Sequence, residues 1–482
     1  SSHFSTIIFS LSSLSEACQS KSMDGEMDRE SFLNEFSERV ANHDYQGALS
    51  ICTKRLKSKP NDSYVLEMQK TVLHFLEKAD GTTSEEKATF DNDHEVPQLS
   101  QQEERAARAC DRAYEAMFTY LQDEERLWSL GEQAIGIFWD PGQLLPEGPR
   151  RTRVLEMSRV LLEVLLRKLG ATDRGKGAPM PALSCAADLE VDSSGEWLFE
   201  ALGQLWFRRE MALPCEPWLL DGCCEEWDKV GGSMEALVGY SAESLHNATH
   251  GDLTDILCQV WTLERSVVCG LFEESAPPSA LLEYGIKSVL AEIQRRPLVE
   301  APMPGFYQCF YLMTHVVYIL NCFNGCLPNH REDCPWLYAY LERCLGFWLR
   351  EVRQTAKRNR VEAEHSWGSE AVDAVSEAVD CLRGLDNEAE TQAVREGIDF
   401  LLSAQGTDGF FHSPGAMPAS TAYDHIHPSW TAVAALQLDR QAERGSSRSA
   451  KWSRHARDAA QEVGFFKNPP PAQPMRDMGD AC

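Results

Sequence analysis

The chain is expected to be all-α, built from helical hairpins repeated about five times. Three observations lead there. Almost every apolar run recurs at three- and four-residue intervals, the period of an amphipathic helix, and strand-like alternation is nearly missing. The runs come in pairs. One member of each pair starts near Gly195, Gly251, Gly305, Gly368 and Pro428, positions roughly 55–63 residues apart. The other members fall between them, over Ser279–Arg295, Trp336–Arg358 and Ala389–Ala404. Two-helix units that cannot each bury an apolar face must stack, either as an open solenoid or arc or as a closed α/α ring.

Composition bounds the function. With 482 residues, 43% of them hydrophobic, the chain can bury a large core, and 12 Trp and 20 Phe set it apart from disordered acidic sequences. A formal net charge of -28 repels phosphate backbones and anionic lipid, so neither a nucleic acid nor a membrane is an expected partner. No run reaches the roughly 18 apolar residues of a membrane span. The 16 Cys include many that stand singly inside apolar helical runs, as Cys258, Cys309, Cys344 and Cys381 do. That is the pattern of reduced buried thiols, and a cytoplasmic location is expected, with a protein or a small molecule as the ligand.

The chain divides as follows. Residues 1–22 hold a short apolar patch and no basic residues ahead of it, and Met23 opens a natural start, so they read as leader or upstream sequence. Residues 23–78 form a helical hairpin. Its second helix, YQGALSICTKRLKSKP, carries Tyr45, Ala48, Cys52, Leu56 and Pro60 and resembles the latter half of one tetratricopeptide repeat. One such unit is too little for a peptide groove. Residues 79–103 are acidic and without period, as expected of a flexible linker. Residues 104–466 hold the repeated hairpins, and 467–482 are a Pro-rich tail. The basic amphipathic helix near Arg150–Gly170 is read as packing its apolar face and solvating the other.

The segment Arg395–Phe411, REGIDFLLSAQGTDGFF, discriminates among helical folds. Gly397, Phe400, Leu401, Gln405, Gly409 and Phe411 resemble the glutamine–tryptophan repeat of terpenoid cyclases, with Phe411 in place of Trp. A Gln amide can bond backbone groups left unpaired at a helix end, and Gly permits the tight reversal. The following AYDHIHPSWTAVAAL is similar to an inner helix of α/α-toroid proteins, the fold shared by terpenoid cyclases and protein prenyltransferase β-subunits, with Pro428 placed at its first turn. The resemblance implies a toroid and no particular activity. The Asp-x-Asp-Asp acid of the cyclases is missing, and only Asp221 and Cys223 match the first part of the prenyltransferase zinc set, with His425 or His427 far along the chain.

If the ring closes, the N-terminal ends of its inner helices face a central cavity. The candidate catalytic residues there are His315, Asp373, His427 and Asp255. Each has an ordinary explanation, since a lone His in an apolar helix is more often a satisfied core residue and an acid near a helix N-terminus is favoured by the dipole. Only convergence of carboxylate and imidazole makes acid–base chemistry credible. Cys322, Cys326, His330 and Cys334 could wrap a zinc ion, but ordinary reduced cysteines are the expectation, and no cofactor or metal is expected. The leading reading is therefore a helical-repeat binding or interaction protein without catalysis; the alternative is an α/α-toroid enzyme, a lyase, cyclase or transferase, acting on a small molecule. Limited proteolysis should nick within 79–103 and release a helical core, because that segment lacks apolar residues to offset ordering entropy. Cleavage confined to 200–440 would overturn this division.

Overall fold

The computed structural model describes residues 32, 39, 45–58, 65, 69, 101–171, 193–229, 238–241, 243–271, 285–323, 325–326, 331–355, 370–386, 391–413, 419, 421–441 and 446–471. The leader at 1–22, most of the linker and the Pro-rich end beyond 471 lie outside them. Among the described residues there are 15 α-helices and no sheet. The chain is all-α. It separates into two units, residues 1–96 and 97–482.

In the first unit α1 spans Tyr45–Ser58. Cys52 is fully buried on it, Gln69 donates to the Thr53 hydroxyl at 3.1 Å, and Arg55 lies over the Phe32 ring at 4.7 Å. Pro60 lies outside the described residues.

The second unit opens with α2, Gln101–Tyr120, which starts inside the segment expected to be linker. Then come α3 (Glu124–Leu130), α4 (Gln133–Leu144), α5 (Pro149–Ala171), α6 (Ser193–Glu210) and α7 (Pro217–Lys229). They are followed by α8 (His250–Val268), α9 (Ile286–Arg295), α10 (Phe306–Leu320), α11 (Pro335–Thr355) and α12 (Ala371–Leu385). The unit ends with α13 (Gln392–Ala404), α14 (Ala422–Leu436) and α15 (Ser447–Glu462). The five spaced runs of the sequence correspond to α6, α8, α10, α12 and α14. Each packs on the next: α6 on α8, α8 on α10, α10 on α12, α12 on α14. From α14 the packing passes to α2 and α3, then to α5, and from α5 back to α6. The intervening helices lie against this series, α9 on α8, α11 on α10 and α12, α13 on α12 and α14. α15 packs on α8, α9 and α10, with its buried Trp452 donating to the Ile319 carbonyl at 2.7 Å. The first residues after α15 are docked too, for the Leu298 amide donates to the Pro471 carbonyl at 2.8 Å.

Local chemistry explains the boundaries. Thr249 and Asp252 form a capping box at the start of α8, and Thr421 and Asp424 form another at α14. The second box corrects the sequence reading of Pro428. The helix begins at Ala422, six positions before the proline, which sits inside it. Pro428 has no N–H to give, so one rung of the helix is lost there, while the cap at Thr421 fixes where the helix starts. The basic helix α5 pairs with its neighbours, Arg150 with Asp111 at 2.6 Å and Asp439 at 3.0 Å, and Arg153 with Glu115 at 2.7 Å.

The turn after α13 has the geometry its residues imply. Gln405 pairs with Phe411 in an isolated antiparallel bridge, and the Gln405 amide donates to the carbonyls of Gly409 and Ala109, each at 2.8 Å. The Gln405 carbonyl oxygen accepts from Arg112. Ala109 and Arg112 belong to α2, so this one side chain fastens α13 to the first helix of the unit. Gly409 has φ +94, and a Cβ there would lie 2.9 Å from the Arg112 carbonyl oxygen. At Gly397 a Cβ would meet the Val379 methyl at 2.6 Å, which is why a small residue stands where α13 crosses α12. Phe411 is 1% exposed. Gln405→Ala leaves these partners unpaired and should cost about 1–3 kcal/mol in denaturant melts. Phe411→Ala should cost about 3–5 kcal/mol and Phe411→Trp less than that. Unchanged stability in both alanine variants would remove the stitch from any structural role.

Candidate functional site

α12 is buried along its whole length, although it carries Asp373, Glu377, Asp380 and Arg383. Such a helix must find its counter-charges inside the protein. Asp380 finds Arg440 at 2.6 Å, a pair that is 0% and 2% exposed. Arg383 donates to the carbonyls of Ala435 and Gln437, at 3.0 and 3.2 Å, and so closes the C-terminal end of α14. Burial, with Arg440 nearby, lowers the Arg383 pKa to about 9.

One and two turns towards the N-terminus of α12 the partners change. Asp373 Oδ1 lies 2.9 Å from His427 Nδ1 on α14 and accepts from the Thr431 hydroxyl at 3.0 Å. A carboxylate oxygen can only accept, so the imidazole carries a proton on Nδ1. Glu377 Oε2 accepts from the Thr314 hydroxyl of α10 at 2.6 Å. Among the described residues no basic side chain forms an ion pair with Glu377. Burial first, then the Asp373 charge, pushes its carboxyl well above the usual range, against the Thr314 bond. Asp373, Glu377 and His427 each offer a ligand atom, and these atoms lie within 4.8 Å of one another.

His315 stands beside them on α10. Its Nδ1 lies 2.9 Å from the Tyr311 carbonyl, to which it donates. Burial lowers its pKa to about 4, an effect that the Tyr311 bond opposes and nearby His427 strengthens, so His315 is neutral at pH 7. Aromatic rings surround the group. Tyr311 lies 4.4 Å from the His315 ring, Tyr423 stacks on His427 at 4.6 Å, and Trp430 meets His427 edge-on at 5.7 Å. Phe323 continues this wall, 6.4 Å from His315 and 4.5 Å from Trp261 of α8. Beyond Trp261 lies Arg265, buried between that ring at 3.6 Å and Trp206 at 4.6 Å.

Three of the four sequence candidates, His315, Asp373 and His427, are thus brought together. Asp255 is not. It stands with Asp252 and Tyr240 at the start of α8, where Asp252 is committed to the capping box. Glu377 escaped the sequence reading, though it lies one turn after Asp373 on the same helix and faces the same group. Of the prenyltransferase-like pair, Asp221 is exposed and Cys223 is buried, and they share no site with His427. His425 packs between Tyr120 and Phe410, each ring 4.5 Å away. Cys322, Cys326 and Cys334 are buried, and Cys326 donates to the Asn321 and Ser449 carbonyls at 3.6 Å each, as a core thiol does. His330 lies outside the described residues.

The cluster offers two carboxylates and an imidazole to a reacting molecule or an ion. Comparison with protein-family models, curated proteins and solved structures returns no match.

Burial, reinforced by Asp252, raises the Asp255 pKa from 3.8 to about 7. Its contribution to stability is fully present below the unfolded value and lost as the pH rises through about 7. Wild type should therefore lose denaturant resistance relative to Asp255→Asn as the pH rises from 3.8 to about 7, the gap being fully open by neutrality. A constant gap across that range would contradict the assignment.

Proposed function

We propose that the second unit is an α/α-toroid enzyme, a lyase, cyclase or transferase, acting on a small molecule at the cluster of Asp373, Glu377, His427 and His315. The observation that carries this reading is convergence: α10, α12 and α14 bring two carboxylates and two imidazoles into one buried, aromatic-walled place. A structural role accounts for the deeper charges of α12, since Asp380 has its Arg440 and Arg383 has its carbonyls. It does not account for Glu377. The packing sequence from α6 to α14 and back through α2 and α5 supports a closed ring. The aromatic walls suit a compact, largely apolar substrate with one polar end, on which the carboxylates and imidazoles act.

Reduced cysteines, 13 of them among the described residues, support a cytoplasmic setting, and no described helix is long and apolar enough to cross a membrane. The second reading, a helical-repeat interaction protein without catalysis, is favoured by an open groove of about 500 Å³ on α2, lined by Arg105, Arg108, Arg112 and Leu402. A protein partner would meet that outer face and leave the buried cluster alone.

Incubation with a mixed extract of cellular metabolites, followed by mass spectrometry, separates the two. Wild type should convert at least one small molecule. Asp373→Asn and His427→Gln should lower that conversion by at least about a hundredfold while keeping the helical circular dichroism of wild type. Retention of a compound unchanged would favour a binding protein, and equal conversion by the variants would move the reacting site elsewhere.

A further inference from the structure

We propose that Asp373, Glu377 and His427 are the ligands of one divalent transition-metal ion. This rests on reading the cluster as the reacting site and names the cofactor that site holds. The argument starts from charge. Of the three carboxylates on buried α12, Asp380 is neutralised by Arg440 and Asp373 is bonded to His427. Among the described residues Glu377 has no ion-pair partner and accepts from the Thr314 hydroxyl. A buried carboxylate with no cation either takes up a proton or takes a cation. Here a second carboxylate and a ring nitrogen stand ready beside it.

The geometry fits an ion. Carboxylate oxygens and imidazole nitrogens bind zinc at about 2.0–2.2 Å, so two ligand atoms on one ion sit about 3–4 Å apart. The three ligand atoms already lie within 4.8 Å of one another. The two threonine hydroxyls hold the carboxylates as outer partners do around metal ligands, Thr431 on Asp373 at 3.0 Å and Thr314 on Glu377 at 2.6 Å. Two oxygens and one nitrogen select Mn2+, Fe2+ or Zn2+ over Ca2+, which takes six to eight oxygens. Three protein ligands leave positions open for water or substrate, as in catalytic rather than structural sites. Among the described residues no thiol belongs to the set, and the nearby Cys381 donates to the Thr314 carbonyl at 3.5 Å.

The test uses the full chain, stripped with a chelator, and Mn2+ alone as the probe, because manganese favours oxygen and nitrogen over the many thiols present. Free Mn2+ is read by electron paramagnetic resonance. Saturable binding of one ion per chain is expected, with Zn2+ displacing it and Ca2+ not. Glu377→Gln and His427→Gln should each weaken binding at least about tenfold, and Thr314→Val should weaken it about 10–100-fold with all ligands kept. Asp255→Asn should bind as wild type does. Should a ligand variant fail to fold, the pulsed spectrum of the wild-type complex must still show coupling to one imidazole nitrogen. No saturable site, no nitrogen coupling, or wild-type affinity in the three variants overturns the proposal. None of these readings needs a substrate. A bound ion without turnover supports the metal site and counts against the enzyme, whereas conversion that survives complete chelation counts against the metal.

Discussion

A helix sealed from solvent on every face while carrying four charged side chains constrains everything around it. α12 is such a helix, and its neighbours are arranged to meet its charges. α14 brings His427 and Thr431 to Asp373, α10 brings Thr314 to Glu377, and the chain just past α14 brings Arg440 to Asp380. Breaking a buried ion pair such as Asp380–Arg440 by removing one partner costs on the order of 3–5 kcal/mol, because the charge left behind has no water. The packing of α10, α12 and α14 is therefore fixed by electrostatics as well as by apolar contact. The same constraint puts the chemistry where it is: the end of α12 that lacks an arginine is the end where imidazoles gather.

Hydrogen bonding settles which groups are poised and which are spent. Asp252, three residues before the candidate Asp255, is held by the capping box of α8. Arg383 is spent on two carbonyls. His315 donates its Nδ1 proton to the Tyr311 carbonyl and leaves its Nε2 free, and His427 donates its Nδ1 proton to Asp373. The groups with capacity left over are these two rings and Glu377, and all three belong to one cluster.

Much of this was legible in the sequence because it depends on period and on turn chemistry. The regular starts of α6, α8, α10, α12 and α14 follow from helical period alone. The Gln405 turn could be read because a glutamine at a helix end, a glycine four residues on and an aromatic after it have few uses besides the one observed. Pro428 misleads because proline is a strong start signal, whereas the capping box of Thr421 and Asp424 sets the true start. Glu377 was missed for a different reason. Its partner Thr314 is 63 residues away, and pairing at that range is a property of packing that no local pattern encodes.

The Gln405 amide reaches across 296 residues to the Ala109 carbonyl. Contacts of such long sequence separation are made late, since the chain must surrender loop entropy before it gains them. During synthesis α2 emerges long before its partner and must wait, with its apolar face uncovered, until α13 and α14 have left the ribosome. The interval exposes Ala109, Cys110, Ala113, Tyr114 and Met117, all buried in the finished protein. Apolar surface left open for that long is what makes a partly made chain prone to aggregate, and a chain truncated before Gln405 would keep it open.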